Sequence, residues 1–105
     1  MLEKLQAVAS RYEELCAKAE QPDFYADPAR AAKLLKEKNE LEPIVEAYTA
    51  LRQSQEDQKE ARELLAGETD PEMKELCQEQ FQTAKETEAQ LEQELKLLLL
   101  PKDPN

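Results

Sequence analysis

The sequence lacks most of the residues on which enzyme and ligand chemistry depends. Its 105 residues include no histidine and no tryptophan, two cysteines and a single glycine. Histidine is the usual proton donor and acceptor at neutral pH, and glycine-rich turns are needed to cradle phosphates or to bend a calcium loop. We therefore expect no catalysis by this chain, no cofactor and no bound metal ion.

Long apolar runs are also missing. The longest purely aliphatic run is Leu97 to Leu100, whereas a membrane-spanning helix needs about 20 apolar residues. The N-terminus shows no basic segment followed by an apolar one, which is the layout of a secretory signal. The sequence thus predicts a cytoplasmic protein that does not contact membranes.

What the sequence does contain predicts helices. Leu, Glu, Ala, Lys and Gln dominate, charged residues make up 36% of the chain, and β-branched residues are few. Apolar residues recur three and four apart in three stretches, about 2–20, 28–66 and 71–100, which is the spacing of one face of a helix. The predicted fold class is all-α.

Local signals mark where these helices begin and end. Asp27-Pro28 and Asp70-Pro71 each place a capping carboxylate before a proline at the first helical position. Gly67, the only glycine, is expected to end the second helix in a left-handed conformation. Pro43 lies inside the periodic pattern. The long helix therefore either bends there and continues, which the unshifted apolar register favours, or breaks and restarts.

The short connectors predict how the helices pack. Folding the chain about residue 24 and about residue 68 makes the helices antiparallel and brings their apolar stripes together. We expect an elongated fold with a three-helix antiparallel bundle at one end. At the other end the long kinked central helix and the third helix are expected to protrude as a two-helix arm, a coiled-coil hairpin. Between Arg52 and Arg62 this arm is polar, so charge pairs such as Glu56–Lys59 are expected to support it.

Aromatic and cysteine residues are few, and we expect them to be structural. Phe24 and Tyr25, in the first connector, are expected to close one end of the core, with an exposed anchor for a partner as the alternative. Cys16 and Cys77 fall on different predicted helices about 40 Å apart, given the rise per residue. A disulfide needs Cα atoms within roughly 7 Å, so the sequence predicts two free thiols and a reducing compartment.

Acidic residues outnumber basic ones, mainly in the second part of the chain. The net charge is −10, and residues 41–105 carry −9 of it, from 16 acidic and 7 basic side chains. Such a surface repels nucleic-acid phosphates and favours basic protein partners. We therefore expect no direct nucleic-acid binding by this chain.

The end of the third helix carries more leucine than one packing seam can use. Leu97 to Leu100 cover every direction around a helix, and residues 101–105 are typical of the start of a linker. We expect residues 1–100 to form one helical domain and residues 101–105 to lead into a further domain that this sequence does not contain. Leu97, Leu99 and Leu100 are then candidate inter-domain contacts, and in a fragment they would allow dimerisation.

Three segments carry a resemblance to a known family. They are residues 40–48 (Glu-Leu-Glu-Pro-Ile-Val-Glu-Ala-Tyr), residues 70–76 (Asp-Pro-Glu-Met-Lys-Glu-Leu) and residues 94–105 (Glu-Leu-Lys-Leu-Leu-Leu-Leu-Pro-Lys-Asp-Pro-Asn). Together they resemble the N-terminal domain of the bacterial peptide chain release factor one family, the class I factors that read UAA and UAG. The resemblance covers essentially the whole chain.

This resemblance implies a helical domain of a factor that enters the ribosomal A site, reads a stop codon and triggers hydrolysis of peptidyl-tRNA. In the family those tasks belong to a Pro-x-Thr tripeptide and a Gly-Gly-Gln loop in later domains. Neither motif occurs here, so no functional residue of the family is carried onto this chain.

The resemblance also implies partners. The family's N-terminal domain lies near the base of the ribosomal stalk, so the expected partners are the ribosome, in particular a ribosomal protein at the stalk base, and the rest of the release factor chain. An acidic arm suits a basic ribosomal protein, and Glu56, Glu60 and Glu63 are the candidate contacts. The alternative is a free-standing structural coiled coil that self-associates through its apolar stripe.

Overall fold

A computed structural model describes residues 1–101 of the chain, and most of them lie in three α-helices. Helix α1 spans Leu2–Ala19, α2 spans Pro28–Gly67 and α3 spans Pro71–Leu98, with one short 3₁₀ turn at Phe24–Ala26. The helices therefore begin and end within two residues of the predicted positions. Residues 1–101 contain no strand, so the all-α prediction is confirmed. No helix in this range is both long and apolar enough to cross a membrane. Beyond Pro101, the predicted linker falls outside the described residues.

Both predicted helix starts are present. The Oδ1 atom of Asp27 accepts a hydrogen bond from the backbone N–H of Arg30 at 3.2 Å. The Oδ1 atom of Asp70 likewise accepts from the backbone N–H of Glu72 at 3.1 Å, with Pro71 following as the first helical residue. Each carboxylate pairs an amide that has no partner inside the helix, which fixes where α2 and α3 begin.

The left-handed conformation predicted for Gly67 is wrong. No glycine in residues 1–101 has a positive φ, and Gly67 is simply the last residue of α2. The turn is closed by the side chain of Glu68, whose Oε1 accepts from the backbone N–H groups of both Thr69 and Asp70 at 3.0 Å. Since a side chain pairs these amides, the turn needs no residue with the backbone freedom of glycine.

Helix α2 runs without interruption through Pro43, so the alternative of a break and restart is wrong. Proline removes the hydrogen bond to the Asn39 carbonyl, and an unpaired carbonyl would be costly if it were buried. Both Asn39 and Pro43 are exposed, so water can satisfy that carbonyl. The exposed position explains how a 40-residue helix tolerates an internal proline.

The first 46 residues form one compact unit, in which α1 is antiparallel to the beginning of α2. Arg11 of α1 bonds to Glu37 of α2, and the Lys38 ammonium lies 5.6 Å from the centre of the Tyr12 ring. These pairs agree with a fold about residue 24, as predicted. The buried apolar residues of this unit are Leu5, Leu15, Phe24 and Ala31.

The two aromatic residues of the connector have different environments. Phe24 is buried, at 3% exposure, whereas Tyr25 is 65% exposed, and the two rings meet edge to face with their centres 4.8 Å apart. The expectation that both would close the core therefore holds for Phe24 and is wrong for Tyr25. Successive side chains of a one-turn 3₁₀ segment point in different directions, so only one of them can enter the core.

Residues 47–100 form the second compact unit, an antiparallel hairpin of the rest of α2 with α3. The Arg62 guanidinium lies 5.5 Å from the centre of the Phe81 ring, and one groove is lined from Ala50 to Leu64 on α2 and from Leu76 to Thr87 on α3. Helices that meet over this length and are joined by three residues must be antiparallel. Both cysteines, Cys16 and Cys77, are free thiols.

Five of the eight buried residues of this hairpin have small side chains, and the other three are Tyr48, Leu51 and Leu95. Ala47, Ala61, Cys77 and Ala84 are buried, and so is Ser54, whose Oγ donates a hydrogen bond to the Leu51 carbonyl at 2.7 Å. Small residues at a helix–helix contact shorten the distance between the helix axes. The stretch from Arg52 to Arg62, predicted to be polar throughout, thus carries its own narrow packing seam.

The charge pair predicted within that stretch is absent. No ion pair joins Glu56 to Lys59 in the part of the chain that the structure describes. Gln53 instead donates to Asp57 at 2.9 Å, one helical turn away. A hydrogen bond between side chains one turn apart stabilises a helix slightly, and an exposed ion pair contributes no more. The arm therefore loses little stability because the predicted ion pair is missing.

A leucine at position 61 tests the narrow seam. We expect Ala61→Leu to lower the free energy of unfolding by about 1–3 kcal/mol, because Ala61 is 3% exposed and the added atoms must separate the helices. Ala66→Leu, at an exposed position of the same helix, should change stability by less than about 0.5 kcal/mol. Urea unfolding followed by circular dichroism measures both, and equal stabilities for the two variants would show that the seam is not tight.

An alanine at position 67 tests the turn. A Cβ atom there would meet no heavy atom within 4 Å, and the backbone is not left-handed. We expect Gly67→Ala to raise the free energy of unfolding by about 0.5–1 kcal/mol, because alanine restricts the unfolded chain and favours the helix. A loss of stability in the same urea titration would mean that this turn does require glycine.

Candidate partner-binding surfaces

A bidentate ion pair joins the two helices of the first unit. Arg11 donates from Nε to Glu37 Oε2 at 2.6 Å and from Nη2 to Glu37 Oε1 at 2.8 Å. The planar guanidinium matches a carboxylate in this fork arrangement, which fixes direction as well as distance. Both side chains remain more than a third exposed, so solvent screens the attraction.

The network extends along α1 to Glu14 and Lys18. Glu14 accepts from Arg11 at 3.1 Å and lies 3.2 Å from the Lys18 ammonium. Hydrogen bonds from Lys18, and then from Arg11, lower the pKa of Glu14, and the hydrogen bond from Arg11 lowers the pKa of Glu37. The same contact with Glu37 raises the pKa of Arg11. These acids are already paired with cations, so they offer little to an external basic partner.

The acids predicted as partner contacts are in the opposite situation. Glu56, Glu60 and Glu63 are all exposed, and their spacing of four and three residues puts them on one side of α2; we call them the acidic stripe. Within residues 1–101 none of their carboxylates forms an ion pair or a hydrogen bond. The surrounding unit, residues 47–100, holds 13 acidic and 6 basic side chains, a net charge of −7. The structure therefore leaves the predicted acids available.

The predicted inter-domain leucines differ in exposure. Leu97 is 69% exposed and Leu100 is 61% exposed, while Leu99 is half-buried and caps the end of α3 by donating its backbone N–H to the Leu95 carbonyl at 2.9 Å. Two of the three candidates thus present most of their surface to solvent.

A third surface was not predicted from the sequence. A groove of about 630 Å³ runs between α2 and α3 in the second unit; we call it the α2–α3 groove. Its lining includes small and apolar side chains at helical spacing, namely Ala50, Ser54, Leu64, Leu76, Thr83 and Thr87. The signal was present in the sequence as small residues four apart on both helices, but it points to a groove only once the pairing of the helices is known. Within residues 1–101 no group of three or more acidic or cysteine side chains is placed to hold a metal ion.

The ion pair of the first unit predicts a dependence of stability on pH. The folded-state pKa of Glu37 lies below the ordinary value of 4.5, so its ionised form stabilises the fold fully above that pH. This contribution is lost as the pH falls through the lower folded-state pKa. We expect Glu37→Gln to lower the melting temperature near neutral pH, and the difference from the unsubstituted chain to disappear in acid.

Thermal unfolding by circular dichroism, from about pH 7 to pH 3, measures this difference. The matched control is Glu13→Gln, at an exposed acid of α1 that has no ion pair within residues 1–101. It should follow the unsubstituted chain throughout. A Glu37→Gln difference that stays constant with pH would show that the carboxylate charge contributes nothing.

Comparison with known proteins identifies the family. Residues 8–105 match the PCRF domain. Over all 105 residues the chain is 43% identical to peptide chain release factor 1 of Listeria welshimeri and of Clostridium novyi, and 41% identical to that of Agathobacter rectalis. It spans 29% of the length of each of these relatives. No solved structure matches the chain. The chain therefore belongs to the PCRF domain family.

Proposed function

We propose that this chain is the non-catalytic N-terminal helical domain of a translation termination factor. It positions or recruits the factor on the ribosome, and other domains read the stop codon and trigger hydrolysis of peptidyl-tRNA. The observation that carries this proposal is the identity of 41–43%, across the whole chain, to proteins named peptide chain release factor 1. The domain comprises residues 1–100, works in the cytoplasm and contacts neither membrane nor nucleic acid directly.

The acidic stripe is the proposed contact with the ribosome. Its three carboxylates are exposed and have no partner within residues 1–101, in contrast to the paired acids of the first unit. Complementary charge speeds encounter between proteins and favours the correct partner. A basic ribosomal protein at the base of the stalk has the chemistry that this stripe would attract.

The exposed leucines at the end of α3 are the proposed contact with the rest of the release factor. Leu97 and Leu100 offer apolar surface that water disfavours, and Leu99 adds part of its own. Docking of a following domain would bury them. The alternative of a free-standing, self-associating coiled coil is not favoured, since the relatives that match over the whole chain are release factors.

Charge reversal on the stripe tests this proposal. The experiment uses a chimera in which residues 1–105 replace the matching segment of the Listeria welshimeri release factor 1. We expect the chimera to release peptide from ribosomes stopped at UAA. Replacing Glu56, Glu60 and Glu63 by Lys should slow release by about tenfold at limiting factor, with a larger effect at low salt.

The control reverses three exposed acids outside the stripe, Glu13, Glu20 and Glu94, so that the change in net charge is the same. The release rate of this variant should be within about twofold of that of the unsubstituted chimera. A localised patch of charge guides the encounter with the ribosome more strongly than the net charge of the protein does. Unchanged release by the stripe variant, at both low and physiological salt, would contradict a role for these acids. A chimera with no release activity at all would contradict the assignment to termination.

A further inference from the structure

The α2–α3 groove is shaped for a third helix. All of its lining residues belong to the second unit, on α2 from Ala50 to Leu64 and on α3 from Leu76 to Thr87. At 1.5 Å per residue, the α2 side is about 21 Å long, which matches a helix of about four turns. Two helices that lie side by side leave a channel into which the ridge of a third helix packs.

At the end of the groove away from the turn that joins α2 to α3, the floor consists of small side chains. Ala50, Ser54 and Thr83 line it, and the Ser54 hydroxyl is already satisfied by the Leu51 carbonyl. Small residues allow the backbone of an incoming helix to come close, and the buried Ser54 hydroxyl needs no partner from that helix. The floor therefore selects by shape more than by hydrogen bonding.

One end of the groove is apolar. Leu64 is 54% exposed and Leu76 is 43% exposed, and both line the groove next to the turn that joins α2 to α3. Exposed leucines on facing helices can receive leucine-sized side chains from the apolar face of an amphipathic helix. This pair is the apolar anchor of the surface.

The charged residues along the groove all have the same sign. Asp57, Glu60 and Glu79 line it, and no lysine or arginine does. Asp57 accepts one hydrogen bond from Gln53, while Glu60 and Glu79 have no partner within residues 1–101. A partner with Lys or Arg beside its apolar face complements this rim. A second copy of this hairpin, with its net charge of −7, would be repelled.

We propose that the α2–α3 groove binds one basic amphipathic α-helix of about four turns, supplied by a ribosomal protein. The inference rests on the proposed function for the source of the helix, and on the groove for its chemistry. Leucine-sized residues of this helix pack on Leu64 and Leu76, its backbone approaches the floor of small side chains, and its cations flank Asp57 and Glu79. The acidic stripe adjoins the groove at Glu60, so the two surfaces can meet one partner together.

Binding is measured with a synthetic probe, a 15-residue amidated peptide with leucines on one helical face and lysines beside them. The reference is a scrambled peptide of the same composition, which has the same charge and no apolar face. By titration calorimetry at physiological salt, we expect the amphipathic peptide to bind the chain at least about tenfold more tightly than the scrambled one. Equal affinities would overturn the proposal, since charge alone would then explain binding.

Two variants with the same change in charge locate the site. Asp57→Lys with Glu79→Lys alters the groove alone, whereas Glu56→Lys with Glu63→Lys alters only the acidic stripe outside it. We expect the groove variant to weaken peptide binding by about tenfold or more, and the stripe variant by less than about threefold. The reverse order would place the docking surface on the stripe and overturn the proposal. All four positions are exposed, and unchanged helicity by circular dichroism verifies folding.

A neutral variant isolates the apolar anchor. Leu64→Gln with Leu76→Gln leaves the charge unchanged and should also weaken binding by about tenfold, because the leucines no longer offer apolar surface. Binding that is unaffected by this variant would overturn the helix-in-groove arrangement.

The release assay separates the groove from the proposed function. In the Listeria welshimeri chimera, we expect the Asp57→Lys, Glu79→Lys pair to slow peptide release by about tenfold at limiting factor. If the pair abolishes peptide binding and release stays normal, the groove does not receive a ribosomal helix and the inference is wrong. If the unsubstituted chimera fails to release peptide, the proposed function fails, while the peptide titrations still decide whether the groove binds a basic helix.

Discussion

A seam between two helices has room for few buried side chains, and this limit governs both compact units of the chain. In a pair of helices only one stripe of each can face its partner, so most of every helix stays in water. The first unit fills its seam with Leu5, Leu15 and Phe24 and adds the bidentate pair of Arg11 with Glu37 across it. The second unit relies more on close approach, with Ala61, Cys77 and Ala84 among its buried residues.

Because the two seams differ, the two units differ in which charged side chains remain available to partners. In the first unit the Arg11 guanidinium and the Lys18 ammonium are already bound to Glu14 and Glu37, which lowers the pKa of both acids. In the second unit the buried side chains are uncharged, and the charged residue that contacts the facing helix is a cation, Arg62 on the Phe81 ring, so its acids are not used for packing. The acidic stripe and the acids of the α2–α3 groove both follow from this division. A chain whose fold requires few of its charges can use the rest for recognition.

The sequence predicts most of the fold because the signals for a helix lie within the helix itself and in the few residues beside it. Apolar spacing, the Asp-Pro starts and the short connectors suffice to place the three helices within two residues and to make each hairpin antiparallel. The failures have a common origin, since each depended on a side-chain choice that the sequence leaves open. Glu68 took the capping role predicted for Gly67, and Tyr25 stayed in solvent while Phe24 entered the core.

The candidate site could be predicted only in part. The excess of acidic residues in the second part of the chain singles out the region of Glu56, Glu60 and Glu63, because the net charge of a segment follows from its composition and does not depend on the fold. The groove is different, because Ala50 and Thr83 belong to one surface only after two helices are paired in a particular register. Small residues carry little signal in a hydropathy pattern, and they matter here for the space they leave.

A seam with so few buried side chains also limits the type of binding site that the chain can offer. Residues 1–101 contain no buried side-chain nitrogen or oxygen without a hydrogen-bond partner, so the interior holds no polar group in reserve for a ligand. The groove lies open between two helices, with Leu64 and Leu76 partly in water and carboxylates along it. Such a surface binds well only when the partner brings its own continuous apolar face and its own cations. A folded helix does both without ordering the receiving hairpin, which keeps the entropic cost of binding low.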